Sequence, residues 1–207
     1  FDCLLIGSNA PLRLDAARLA GFLGNAEVAR DLEGLRIRSP ALLLRHYKLD
    51  AAGMRRFAGA GPLNTDSVPV LEFSCPYGLY GHEFDAYAAL AETEPTPLDA
   101  AWLSGFPEED LARARHAKEA FHRYQRASAR DTRLRKEFSA IQAGATVQEH
   151  PELLREAEWI VAELTAIAGE LAAAGGDAWV DERANTLAAG TFNLPARPNL
   201  AATVAAW

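Results

Sequence analysis

Apolar residues fall along this chain in two periods. Cys3 to Ile6 is a continuous apolar run ended by Gly7-Ser8-Asn9, the pattern of a strand covered on both faces. A second run closes the stretch Leu63-Asn64-Thr65-Asp66-Ser67-Val68-Pro69-Val70-Leu71-Glu72-Phe73-Ser74-Cys75-Pro76. There a polar turn enters a proline and then a short buried strand. Between the two runs the period becomes helical. Asp15 caps a predicted helix from Ala16 to Leu23 with Leu19, Phe22 and Leu23 on one stripe, and Asn25 caps another to about Leu35. Ser39-Pro40, cap then proline at the first helical position, starts a helix from Ala41 to Tyr47. Asp50 starts a fourth through Phe57, which Gly59-Ala60-Gly61-Pro62 breaks.

Past Pro76 a turn-rich aromatic exit containing Tyr77 and Tyr80 leads to a predicted helix from Glu83 to Leu90. Glu92 to Pro97, with two prolines, reads as a linker. From Leu98 onward alanine dominates and no strand pattern is read. Pro107-Glu108-Glu109-Asp110 opens a long helix continuing to Gln142, with Leu111, Ala114, Ala117, Phe121, Tyr124 and Ser128 as its apolar stripe. His150-Pro151 starts another to Ala174, whose apolar face is Leu154, Ala157, Ile160, Val161, Leu164, Ile167, Ala168 and Leu171. Shorter helices are expected from Val180 to Ala188 and from Leu200 to Ala206. The expected organisation is therefore α/β over residues 1–92 and all-α over residues 98–207, the latter a helical bundle or irregular helical repeat.

Charge changes this picture in one place. The 207 residues sum to −7, which argues against general nucleic-acid binding. Between Arg113 and Lys136, however, nine bases face two acids, a local +7 on the long helix. These bases are spread around the helix, so a solvated face or pairing with acidic helices elsewhere is expected. Cys3 and Cys75 make no disulfide or metal framework, and a reducing compartment is the simpler reading. No stretch of about 20 apolar residues occurs, so no membrane span is expected. The start directly in a strand suggests a piece of a longer protein.

Leu5-Ile6-Gly7-Ser8 with Pro11-Leu12-Arg13-Leu14-Asp15, then a helical insert, then Leu63-Asn64-Thr65-Asp66 and Pro69-Val70-Leu71-Glu72-Phe73, resemble the end of the catalytic domain of spermidine-synthase-like proteins. That resemblance covers roughly the first eighty residues. It implies the closing strands of a methyltransferase-like Rossmann sheet, the last one antiparallel. It also implies aminopropyl transfer from decarboxylated S-adenosylmethionine to a diamine such as putrescine. The donor-binding loop and main catalytic carboxylate of the family lie upstream of Phe1, so the missing N-terminal part would have to supply them, along with any membrane tether on an otherwise cytoplasmic protein. The helical region is similar, more weakly, to the tetratricopeptide-like tails of some members.

Within that resemblance, Asp66 would lend a carboxylate to a small cationic amine, Asn64 and Thr65 would supply hydrogen bonds, Glu72 would anchor the turn and Tyr77 would wall the pocket. The residues by themselves read differently: Asn64 and Asp66 form a side-chain-bonded turn, and Glu72 pairs with a base such as Arg45 or Arg13. Family members often carry an acid and an arginine where this chain has Ser67-Val68. No metal is expected. Three functions follow: the C-terminal portion of an aminopropyltransferase-like protein, a non-enzymatic helical module whose tail binds a protein partner, or a methyltransferase relative.

Overall fold

A computed structural model describes residues 6, 10, 12–33, 37–60, 83–98, 101–140, 150–173 and 184–188. Its elements run β1 (Leu14–Asp15), α1 (Ala16–Leu23), α2 (Ala26–Glu33), α3 (Pro40–Leu44), α4 (Ala51–Ala58), α5 (Glu83–Glu92), β2 (Leu103–Ser104), α6 (Glu108–Ala140) and α7 (Pro151–Ala173). Helix dominates, and the sheet among the described residues is a parallel pair of two-residue strands.

The architecture corrects the expected α/β class with its closing Rossmann-like strands. Ile6, expected in a covered strand, is 72% exposed and outside any strand, while residues 3–5 and 61–82 lie outside the described residues. The strand that does form uses Leu14 and Asp15, paired with Leu103 and Ser104 in a region where no strand was read. So short a ladder needs no alternating pattern. Leu14 N–H donates to Trp102 O at 2.8 Å, and Ser104 Oγ donates to Leu14 O at 3.3 Å and Asp15 Oδ2 at 3.2 Å.

Helix starts follow the caps in the sequence. Asp15 accepts from Arg18 N, Asn25 from Glu27 N, Ser39 from Leu42 N and Asp50 from Gly53 N, each satisfying a donor that a helix start leaves free. Gly59, at φ 64°, ends α4 in a conformation that costs glycine least.

α6 is the axle. All six residues of its predicted stripe are buried. α7, α3 and α5 all pack on it, α5 reaching Arg126 and Arg130 through Glu92. Arg123 meets Glu163 and Glu170, whereas Arg130 and Arg133 meet Glu156, so α6 and α7 are antiparallel. Ala127 and Ala157 are fully covered, and the core around them holds Phe121, Leu134, Ile160, Leu164 and Ile167. On α7 the predicted face is buried from Ala157 to Ala168, but Leu153 rather than Leu154 starts it, four residues before Ala157 where helical period puts it. Residues 184–188 add Ala184 and Ala188 to the same core. The predicted 200–206 helix and the Leu171 side chain lie outside the described residues.

Of the α6 bases, Arg123, Arg126, Arg130 and Arg133 pair with acids on other helices, while Arg113, Arg115 and Arg135 pair with acids of α6 itself. Arg126 and Arg130 hold Glu92 at 3.1 and 2.9 Å, and Arg123 binds Glu163 at 2.8 Å and Glu170 at 2.7 Å. Arg130 also lies 4.3 Å over the ring of Trp159. Hydrogen bonding to Glu163, against the cost of burial, raises the Arg123 pKa above its ordinary value.

Candidate functional site

Two places stand out among the described residues: a buried basic cluster where α3 and α5 meet α6, and an open groove of mixed apolar and charged lining between α1 and α2. The substrate residues expected from the sequence, Asn64, Thr65, Asp66, Glu72 and Tyr77, lie outside the described residues, as does the Glu72 pairing.

The cluster is built by three segments. α3, started by Ser39, delivers Arg45, Tyr47 and Lys48 at its end. α5 ends at Glu92 and passes into residues 93–98. That stretch was read as a linker, but it is a strap bound on both sides, because its backbone and Thr96 side chain find partners that composition does not reveal. Thr96 N–H donates to Lys48 O at 2.9 Å, Asp50 N–H donates to Thr96 Oγ1 at 3.0 Å, and Thr96 Oγ1 donates to Asp50 Oδ1 at 3.2 Å. α6 contributes Lys118 and His122, four and eight residues after the fully buried Ala114 and so on the same side of the helix.

Lys118 is 6% exposed and His122 is 3% exposed. The Lys118 ammonium donates to Tyr47 O and Thr96 O and lies 4.8 Å over the Tyr47 ring. Lys48 Nζ stands 2.9 Å from His122 Nδ1 and donates to Ala91 O at 3.4 Å. His122 Nε2 lacks a hydrogen bond, with Glu94 Oε2 3.9 Å away. Arg45 is 2% exposed; its Nε donates to His46 Nε2 at 3.0 Å and its guanidinium lies 5.5 Å from the Phe121 ring centre. No family model, curated protein or solved structure matches this chain.

Burial sets the protonation of the cluster. It lowers Lys118 to about 8, helped by the charge of Lys48, and it lowers Lys48 to about 8, with Glu94 opposing the shift and Arg126 adding to it. Burial, then the Lys48 charge, brings His122 down to about 4. At neutral pH the histidine is therefore uncharged and accepts at Nδ1 from the Lys48 ammonium, which leaves its proton on Nε2 facing Glu94. Arg45 is lowered by burial to about 10. These groups are spent on carbonyls, one another and aromatic faces, so their chemistry is that of a structural joint. The sequence signal for them was present: Lys118 and His122 share the helical period of the apolar stripe, although charge alone places them in solvent.

The groove is different. α2 buries no residue, and Leu23, Ala26, Ala29 and Ile37 line a depression rimmed by Arg30 and the Arg38–Glu33 ion pair. Phe22 beside it is 57% exposed. Among the described residues no group of three or more His, Cys, Asp or Glu could hold a metal, and no helix is long and apolar enough to cross a membrane.

Proposed function

We propose that this chain works as a helical protein-interaction module, in which α6 and α7 form the rigid support and the α1–α2 pair presents the contact surface. The observation that carries this reading is Phe22, 57% exposed on α1 beside α2, a helix whose Val28 and Leu32 are only half-buried. An apolar helix side flanked by charges fits a partner that covers it. The buried basic cluster supports the same reading, since its reactive groups are already bonded within the protein.

A photo-reactive phenylalanine analogue at position 22 of the protein in its own cells is expected to give one discrete adduct. Ala29→Lys, which puts a charge in the groove without touching the core, is expected to weaken that adduct about tenfold, a loss of about 1.4 kcal/mol. The same analogue at the exposed position 119 is expected to give none. Equal labelling at both positions, or an adduct indifferent to Ala29→Lys, overturns the reading.

The string from Leu63 to Phe73 favours a second reading, in which this helical unit is carried by a spermidine-synthase-like protein whose amine pocket includes Asp66. Its test is calorimetric titration with putrescine and decarboxylated S-adenosylmethionine, using this chain and one extended upstream. Binding by the extended chain that is lost on Asp66→Ala is the expected result. No binding by either chain overturns it.

A further inference from the structure

The strap of residues 93–98 is tied to residues 48–50 through Thr96 and to α6 through Lys118 and the buried Leu98, and beside the first of these ties the Lys48 side chain rests on an uncharged histidine. We propose that His122 and Lys48 form an acid-sensitive latch, which releases this strap from residues 48–50 while the α6–α7 pair stays folded.

The geometry makes the latch one-way in pH. His122 Nδ1, 2.9 Å from Lys48 Nζ, has a lone pair to offer only while the ring is neutral. Protonation puts a second N–H where the lone pair was, so two donors and two positive charges face each other under cover. Lys48 must then withdraw, and with it goes the bond to Ala91 O at the end of α5. Its backbone carbonyl also carries Thr96 N–H, the principal backbone tie of the strap. Meanwhile His122 Nε2–H, unbonded and 3.9 Å from Glu94, gains an attraction toward the strap's outer, solvent-exposed carboxylate. That pull draws the ring away from Lys48.

The charged groups around His122 come from each packed element. Lys48 faces it from the segment after α3, with Arg45 nearby on α3's end. Glu92 and Glu94 face it from α5 and the strap. Arg126 lies one turn further along α6 and Lys118 one turn back. Lys48 and Arg126 oppose a charged ring, Glu94 and Glu92 favour it, and burial opposes it most. With the strap parted from residues 48–50 and Lys48 withdrawn, the ring opens to water on the Lys48 side, where histidine has its ordinary affinity for protons, while Lys118 keeps Thr96 on α6. Protons therefore bind the open form more tightly, and acid populates it. The inference is independent of the interaction reading, since none of its residues lines the α1–α2 groove.

Amide hydrogen exchange of the full chain, followed by NMR and corrected for the intrinsic pH dependence of exchange, tests the latch. Between pH 6.5 and 4.5 the opening constant at the Thr96 and Asp50 amides is expected to rise roughly 30-fold. The Ala127 and Leu164 amides in the α6–α7 core are expected to stay unchanged. His122→Gln keeps an acceptor for Lys48 without a titrating proton and is expected to flatten the response. A rise shared by all four amides means global acid unfolding and overturns the latch. An equal rise in His122→Gln assigns the effect to Glu92, Glu94 or Asp50 and also overturns it. Should His122→Gln fail to fold, the wild-type ring decides: titration of His122 without a coincident shift of the Thr96 amide overturns the proposal.

Discussion

Leu164→Ala is expected to destabilise the protein by about 3 kcal/mol, near the middle of the range for leucine truncation in a core that cannot collapse. Leu164 is fully buried between α6 and α7, among Ile160, Ile167, Ala157 and the α6 side chains. Loss of its isobutyl group forfeits both the transfer free energy and the contacts of the atoms around it. For a chain of this length the melting temperature should fall by roughly 10 °C. Phe22→Ala, at an exposed site, is the control and should stay within about 0.5 kcal/mol of wild type. Urea unfolding of the three proteins measures both effects. A cost below about 1 kcal/mol at Leu164 would mean that α7 does not seat on α6 as described.

The second large effect belongs to Lys118. Lys118→Met preserves most of the side-chain volume but leaves Tyr47 O and Thr96 O without their donor. Hydrogen bonds from a charged donor contribute about 1.5–3 kcal/mol each, offset here by relief of ammonium burial. A net loss of about 2 kcal/mol at pH 7 is expected. The variant also carries a pH signature. The folded Lys118 and Lys48 both hold their protons less tightly than free lysine, at about 8 against 10.5. Between those values the unfolded chain binds more protons, so stability rises as pH increases through this window and the cost of the buried charge is present below it. Wild-type melting temperature should therefore climb from pH 8 to 9.5, and Lys118→Met should lose about half of that slope. A flat or falling wild-type profile, or the same slope in both proteins, contradicts the described burial of the ammonium.

Caps and periods made most of the helices legible. Asp15, Asn25, Ser39-Pro40, Asp50 and Pro151 each mark a start that the backbone uses, because a short polar side chain next to a periodic run has a local partner waiting. Long-range partners were harder to read. Leu103 and Ser104 become a strand only because Leu14 and Asp15 reach them, and no local pattern announces a partner so distant. The strap is a linker by composition for a related reason: Pro95 and Pro97 correctly exclude helix, but Lys48 and Asp50 on one segment and Lys118 on α6 bind it from two other places in the chain. Charge was misleading at Lys118 and His122, where helical position overruled polarity. The residues expected to carry the family's chemistry, Asn64, Thr65, Asp66, Glu72 and Tyr77, lie outside the described residues.

The clasp between β1 and β2 joins residues 90 positions apart, as at Ser104 and Leu14. Closing so large a loop costs entropy that grows with the logarithm of its length, whereas α6 and α7 are near neighbours in the chain. Contact distance along the chain therefore favours pairing of the later helices first, against the direction of synthesis, and α1 to α4 leave the ribosome before the helix that supports them.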